Sequence, residues 1–520
     1  MSSPSSSISN EDKKPQGLEK NNVNYELGEV QSVISGGSDP AIDIAHKPHG
    51  ELTPEMDKKI LRKVDLYLLS FVSVLYGIQF ADKLIPSSAA ILNLNSDLFA
   101  NSKTGYSWVG SSFYLGYLVF EFPMSYALQK FPLALFTSLM VVSWGIVLAC
   151  TAACQTMESF LALRVLLGAF ECVTQPALVI LISQWYKRSE VFSRTCCWFA
   201  MNGFGGILVT SICYGLKVHY DVNPDVYGMS PWRVIYIIMG CITILVGVIF
   251  YFHIPDNPSK AWFLTEEEKV MQVERIRANN QGYGSHHIKK YQIWEALTDI
   301  RTWLYGISYL LSNVPNGGTT VFATLILEGE GYIGKDALLM NLPSSAVEFA
   351  GFLIMAFFSN FFFRGKKLLF TIFGSCLTVM CLCLLAWGPD APTQLAGLYL
   401  YFFGGPLVSV GLISLVESDS LGHTKKVTSN AFLLVCYCIG NVAGPQAFLK
   451  DQAPIYNTGK VTMAATQCAE LALVIFLLFL NIYENKRRDK LGVFEPPEDM
   501  EDAEFADLTD KEMLWYRYSY

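Results

Sequence analysis

The 520-residue chain is short of charge: 16% of its residues are Asp, Glu, Lys or Arg, against about 25% in an average soluble domain. So few ions cannot cover a water-facing surface when 52% of the residues are hydrophobic and the mean hydropathy is +0.32. Together with the recurring apolar runs described below, this excludes soluble enzymes, nucleic-acid binders and disordered scaffolds. Histidine is scarce too. His46, His49, His219, His253, His286, His287 and His423 fall in tails, loops or segment ends. None has the two-His-plus-carboxylate spacing of a metalloenzyme, so no metal site is expected. The pairs Cys381/Cys383 and Cys436/Cys438 lack the CxxC spacing of a metal or redox site. Most of the 13 cysteines lie inside apolar runs, where a thiol is expected to behave as a small buried hydrophobe. No Asn-x-Ser/Thr sequon with x other than Pro occurs, so N-glycosylation is not expected. No apolar stretch of roughly 7–15 residues follows Met1, so neither is a cleavable signal peptide.

What the chain has instead is apolar runs of about twenty residues, the length that crosses a ~30 Å hydrocarbon core. Twelve such spans are expected, at 64–90, 106–128, 133–154, 158–183, 194–216, 232–253, 302–327, 339–361, 367–387, 394–416, 428–449 and 464–484. The fold class is therefore an all-α integral membrane protein. The net charge of −8 does not oppose this, because the acidic excess sits around Glu11, Glu26, Asp39 and from Glu495 to Asp510. Residues 1–57 read as a disordered tail, with helix starting at the N-cap pattern Thr53-Pro54-Glu55. Two six-helix bundles follow, at 58–253 and 301–486, and residues 487–520 form an acidic tail. The polar connection 254–300 carries the capping box Thr265-x-x-Glu268, which predicts a surface helix near 266–279.

Lysine and arginine fix the expected orientation. One side collects Lys58, Lys59, Arg62, Lys63, Lys130, Lys187, Arg188, the 254–300 connection, Arg364, Lys366, Lys367, Lys425, Lys426, Lys486, Arg487 and Arg488. The other holds Lys103, Lys217, Lys335, Lys450 and Lys460. Both termini are expected on the cytoplasmic side.

Ionisable residues inside spans then carry the information, since each costs about 2.5–3.5 kcal/mol or more at the bilayer centre. Span one contains Asp82-Lys83. Span four contains Arg164 and Glu171, which share a helix face two turns apart. Their functional reading is a wet cavity with a cation for substrate and a titratable carboxylate; the plainer reading is a set of ion pairs that locks the bundle. Glu121 and Glu348 are secondary candidates, whereas Glu417, Asp419 and Glu470 lie near span ends. In span seven, Asn313-Val314-Pro315-Asn316-Gly317-Gly318 predicts a broken helix at midplane, a feature of transporter binding sites. Tyr76, Tyr114, Tyr117, Trp198 and Phe199 are candidate aromatic lining.

The pattern Tyr106-x-Trp108-x-x-x-x-Phe113-Tyr114-x-Gly116-Tyr117-x-x-x-Glu121-x-Pro123 resembles span two of the allantoate permease family, fungal anion:cation symporters of the major facilitator superfamily. The resemblance continues through Arg164-x-x-x-Gly168-x-x-Glu171, Trp185-Tyr186-x-Arg188-x-Glu190, Pro315-Asn316-Gly317-Gly318, Gly422-His423-Thr424-Lys425-Lys426 and Gly440-Asn441-x-x-Gly444-Pro445. It covers about 60 to 490. The chain departs from the pattern at Gln129-Lys130-Phe131-Pro132, at Leu84 to Ser88, and at Asp419, where many members have Asn.

The resemblance implies a major facilitator fold and proton-coupled uptake of a small organic anion by alternating access at the plasma membrane. By motif position it implies that Asp82 and Glu171 couple the proton. It also implies that Lys83 contacts the substrate anion, with Arg164 as the ion-pair partner; from the residues themselves, Arg164, Asn316 and Tyr114 are candidates for substrate contact and Asn441 is a secondary one. No cofactor is expected beyond the proton as coupling ion. The expected partners are the anion, the proton and the lipid bilayer, with no nucleic acid, and the chain reads as a monomer. A nutrient receptor that keeps the fold without transporting is the alternative.

Overall fold

The computed structural model describes residues 53–224, 226–277, 289–362, 366–493 and 508–520. The expectations for 1–52, for Arg364 and for the acidic run from Glu495 to residue 507 lie outside them. Helix begins where the capping pattern places it: Thr53 Oγ1 accepts from the Met56 N–H at 3.3 Å, and Pro54 takes the first position.

The first bundle comprises α1 (Pro54–Leu98), α2 (Ser107–Lys130), α3 (Leu133–Thr151), α4 (Met157–Trp185), α5 (Arg188–Val222) and α6 (Pro231–His253). Two short helices follow, α7 (Glu266–Arg277) and α8 (Lys290–Thr298). The second bundle comprises α9 (Ile300–Gly329), α10 (Lys335–Phe362), α11 (Lys367–Trp387), α12 (Ala391–Asp419), α13 (His423–Gln446) and α14 (Asn457–Leu491). Ten of the long helices are apolar enough to cross a membrane. The other two, α2 and α9, have the length but bury serines, threonines, an asparagine and Glu121 against their neighbours. Each expected span falls on one of the twelve; seven agree within three residues at both ends, and those on α1, α5, α10, α13 and α14 differ by four to ten residues at one end or both. Large side chains such as Val119, Leu245, Phe252 and Phe479 cover the outside, as a bilayer-facing wall requires.

Three expectations are corrected here. The break foreseen in span seven is absent, and α9 runs unbroken from Ile300 to Gly329. The helix continues through Pro315, and in the turn after it Thr319 donates to Pro315 O at 2.9 Å and Thr320 to Asn316 O at 2.7 Å. Gly317 serves packing instead, since a Cβ there would stand 2.7 Å from Asn441 Cα on α13. The discontinuity falls in α4, between Glu171 and Thr174, where Pro176 lacks an N–H and crowds the carbonyl four residues back, at Cys172.

The second correction concerns the C-terminal end. α14 continues past 486 to Leu491, and residues 508–520 fold against the bundle rather than trailing from it. Arg488 donates to the carbonyls of Asp510, Met513 and Tyr516 at 2.9–3.1 Å, and Asn485 both donates to Tyr518 O and accepts from its N–H. The Arg301 guanidinium lies 3.7 Å from the Tyr518 ring centre. Third, the cysteines are not uniformly buried. Cys172, Cys381, Cys436 and Cys438 are, but Cys150, Cys241 and Cys376 face outward.

The two short helices dock on different halves, both on the face that carries most of the basic loops. α7 packs on the first bundle: Gln272 donates to Trp185 O, Arg275 pairs with Asp57 and Glu190, and Lys63 pairs with Glu268 at 2.6 Å. α8 packs on the second, where Gln292 Oε1 accepts from the Thr424 and Lys425 N–H groups and Lys425 pairs with Glu295.

Candidate functional site

A cavity of about 690 Å³ lies between the bundles. It runs from Lys83 and Asn316, deep in α1 and α9, to Gln129, Glu417 and Asn430 at the basic face. At the opposite face hydrogen bonds tie the halves together. Ser87 Oγ and Thr324 Oγ1 are 2.7 Å apart, and Tyr106 donates to Val321 O at 3.2 Å. Ser111 donates to Val442 O at 2.7 Å, and Lys450 donates to the carbonyls of Phe99, Ala100 and Ser102. The Phe322 ring stacks on Phe448 beneath them, 4.4 Å between centres. The cavity is thus sealed at one end and reaches the basic face at the other.

The local sequence explains the placement of the charged residues. Gly116 on α2 and Gly168 on α4 let two backbones touch, since a Cβ on Gly168 would stand 2.1 Å from Phe113 O. That approach sets Phe113, Tyr117 and Glu121 beside Arg164 and Glu171. Lys83 reaches across from α1 and pairs with Glu171 at 3.1 Å, its ammonium 5.7 Å from the Phe113 ring centre and 5.9 Å from that of Tyr117. Arg164 donates through Nε to Val109 O at 3.1 Å and lies 5.1 Å from the Phe113 ring centre on its guanidinium carbon. Asp82 is fully buried beside Trp144 and Thr243, within electrostatic reach of Arg164 and Glu171. Two cations and two carboxylates thus form one buried cluster of balanced formal charge, the arrangement that makes burial of ions tolerable.

Of the residues predicted from sequence, Lys83, Glu121, Asn316, Glu348 and the aromatic candidates Tyr76, Tyr117 and Phe199 line the cavity, and Trp198 does not. Glu171 sits directly behind Lys83. Asp82 and Arg164 belong to the same cluster but lie behind the wall, so neither is within reach of a solute in this state. Tyr114 is also set back, its ring edge-on to Tyr437 at 5.8 Å. Asn441 is buried and accepts from Asn316 Nδ2 at 2.9 Å, which fixes the orientation of the Asn316 amide in the cavity wall. Sequence reasoning missed Gln79, Trp144, Thr243 and Asn202. Gln79 sits one turn before Lys83 and lies beside Glu171; a polar residue in an apolar run was its signal. Trp144 and Thr243 gave none, because only the packing of α3 and α6 brings them to Asp82.

A cavity closed at one end and open at the other, with a buried ion cluster between two six-helix halves, is the architecture of a membrane transporter. The Major Facilitator Superfamily family model matches residues 72–445. The allantoate permease of Saccharomyces cerevisiae is 41% identical, with 94% of this chain and 91% of that protein covered. An uncharacterized transporter of Schizosaccharomyces pombe is 39% identical over 99% of both chains. The solved structure of a bacterial homolog of the human lysosomal transporter Spinster, inward-facing and occupied, superposes with a TM-score of 0.60. It is 14% identical and covers 79% of this chain and 96% of its own. The chain belongs to the allantoate permease family of the Major Facilitator Superfamily.

Proposed function

We propose that the protein imports a small organic anion, a carboxylate or sulfonate, together with protons across the plasma membrane, by alternating access. The observation that carries this is Lys83. It is the cation of the described cavity lining, it sits at mid-depth, and its partner Glu171 is a group that a proton can neutralise. The basic face is taken as cytoplasmic on the distribution of lysine and arginine, so both termini lie inside and the cavity described above is inward-open.

The charge arithmetic gives the coupling. With Glu171 ionised, Lys83 is satisfied and a second anion has no cation to meet. A proton on Glu171 frees Lys83, and a substrate carboxylate then restores neutrality in the closed cavity. Either ion alone would leave a buried charge uncompensated, a cost of several kcal/mol. Proton and anion therefore bind and leave together. Arg164 and Asp82 balance each other's charge from behind the wall, within electrostatic reach but not in direct contact, and Asp82 is the second carboxyl that can carry a proton.

The test uses purified full-length protein in proteoliposomes with a panel of labelled small carboxylates and sulfonates. Uptake should follow an inward proton gradient, and counterflow should separate movement from binding. Glu171→Gln should retain counterflow and lose accumulation driven by the proton gradient; unchanged pH-dependent accumulation removes its role. Wild-type anion affinity in Lys83→Ala would overturn the reading.

A further inference from the structure

The cavity has a second polar wall, apart from the Lys83 cluster. Glu348 on α10 and Asn202 on α5 both line it, and both are only 7% exposed. They belong to different bundles, but the helices touch: a Cβ on Gly203 would stand 2.2 Å from Ser345 O. The Asn202 amide lies beside the Glu348 carboxyl. Asn202 Oδ1 is buried and has no hydrogen-bond partner. Glu348 has no lysine or arginine among the groups acting on it; its titratable neighbours are the phenols of Tyr76 and Tyr401. Stacked Phe199 and Phe352, 5.6 Å between centres, form the apolar surface next to it.

A buried acceptor without a donor, as Asn202 Oδ1 is, is costly, and a carboxyl whose neighbour is one amide keeps acceptor capacity to spare. A carboxyl and an amide oxygen side by side accept from the same kind of group, one that carries two or more N–H bonds. Lys83 supplies the opposite chemistry elsewhere in the same cavity. We propose that Glu348 and Asn202 are a second anchor of the transport site, receiving an N–H donor group, amide or ammonium, at the far end of a substrate whose carboxylate meets Lys83. This rests on the function proposed above and narrows it to two-ended molecules. It also ties occupancy to the halves: the carboxylate is held by the first bundle, while the donor end bridges α5 of the first to α10 of the second.

Three short carboxylates test this by their effect on thermal unfolding of the purified full-length protein. Succinamate and levulinate differ only in NH2 against CH3 on the terminal carbonyl, and 4-aminobutyrate replaces the amide with an ammonium. Succinamate or 4-aminobutyrate should bind at least about tenfold more tightly than levulinate, the worth of hydrogen bonds to a charged group. Whichever is preferred says whether the donor is neutral or charged. Glu348→Leu should bring all three within about twofold of levulinate, and Asn202→Ala should narrow the gap, so the idea stays testable should one variant fail to fold. Lys83→Ala should weaken all three alike. Equal binding of the three to the wild type, with Lys83 required, overturns the second anchor and leaves the proposed function standing. Discrimination that survives both Glu348→Leu and Asn202→Ala, or no binding of any of the three, overturns the anchor as well. Binding that ignores Lys83→Ala overturns both readings.

Discussion

Lys425 Nζ and Asp510 Oδ1 lie 2.6 Å apart, with side chains 2% and 1% exposed, and join the first turn of α13 to the C-terminal segment. The same ammonium also meets Asp299 at 2.8 Å and Glu295 at 2.9 Å. One lysine thus bridges three carboxylates, from α8, the start of α9 and the chain end. Asp419, at the end of α12, completes the seam by accepting from Tyr305, Tyr516 and Ser519. Removing the ammonium would strand buried carboxylates, which costs about 3–5 kcal/mol where one partner of a buried pair is lost. Lys425→Met should therefore lower the thermal unfolding midpoint sharply. Deleting residues 508–520 should do the same, because Arg488 and Arg301 would lose their covers. A full-length protein and a truncated one that unfold alike would contradict this.

Asp82 and Lys83 are adjacent in sequence and differ in duty. Lys83 lines the cavity, and Asp82 points to Trp144 and Thr243 behind it. Asp82→Asn should leave anion affinity within about twofold, while Lys83→Gln should reduce it by tenfold or more, as loss of a charge-assisted contact does. Competition binding to purified protein reads the difference directly. Equal losses in the two variants would mean that Asp82 reaches the solute in another state.

This division shows how far the sequence could be read. The twelve spans, the capping box at Thr265 and the four ions of α1 and α4 were all legible, because each is a local pattern of polarity at helical spacing. Which face each ion turns to was not, since that depends on rotations set by packing, such as the Gly168–Phe113 contact. Pro315 misled for the same reason. A proline predicts a lost hydrogen bond, but not whether close packing, here Gly317 against Asn441 on α13, keeps the helix continuous through it. The acidity of the C-terminal segment predicts a tail. Its fold-back depends on Lys425, Arg301 and Arg488, three positions that meet only in three dimensions.

The seal at the face opposite the basic one offers a way to arrest the molecule. Ser87 and Thr324 come from different halves, and their hydroxyl oxygens are 2.7 Å apart. Cysteines at both positions should form a disulfide, which needs Cβ atoms about 3.5–4.5 Å apart. Ser87→Cys/Thr324→Cys should then lose transport under oxidation and regain it with reductant, while either single variant stays active. Turnover that continues in the crosslinked protein would show that this contact need not open.

Acid should loosen the dock between α7 and the first bundle. Burial alone would raise the Glu268 carboxyl, but hydrogen bonds from Lys63, the Thr265 N–H and Lys59 outweigh it and hold it at about 2 against an ordinary 4.5. A carboxyl lowered on folding adds stability that is complete above its unfolded value and is lost as pH falls through the folded one. The wild type should therefore lose stability between pH 4.5 and about 2. Glu268→Gln should start lower and show a shallower slope over that window. Thermal unfolding across the acid range measures both, and identical slopes would remove Glu268 as a contributor.

Two glycines in long helices should respond in opposite directions to the same change. In an unobstructed helix, Gly→Ala is favourable by up to about 1 kcal/mol, because alanine has less backbone freedom to lose. Gly215 of α5 has nothing within 4 Å of the position its Cβ would take, so Gly215→Ala should hold or raise the unfolding midpoint. At Gly168 the new methyl would stand 2.1 Å from Phe113 O and 2.8 Å from Tyr117 N, both backbone atoms that no rotamer change can move. α2 and α4 would have to separate, with an overpacking cost of about 1–3 kcal/mol that exceeds the helix gain. The separation also shifts Phe113, Tyr117 and Glu171 relative to Lys83, so Gly168→Ala should lose transport along with stability. Rescue of the Gly168→Ala midpoint without rescue of transport, for instance by a stabilising Gly215→Ala in the same chain, would place the functional loss in the geometry of the Lys83–Glu171 pair rather than in folding.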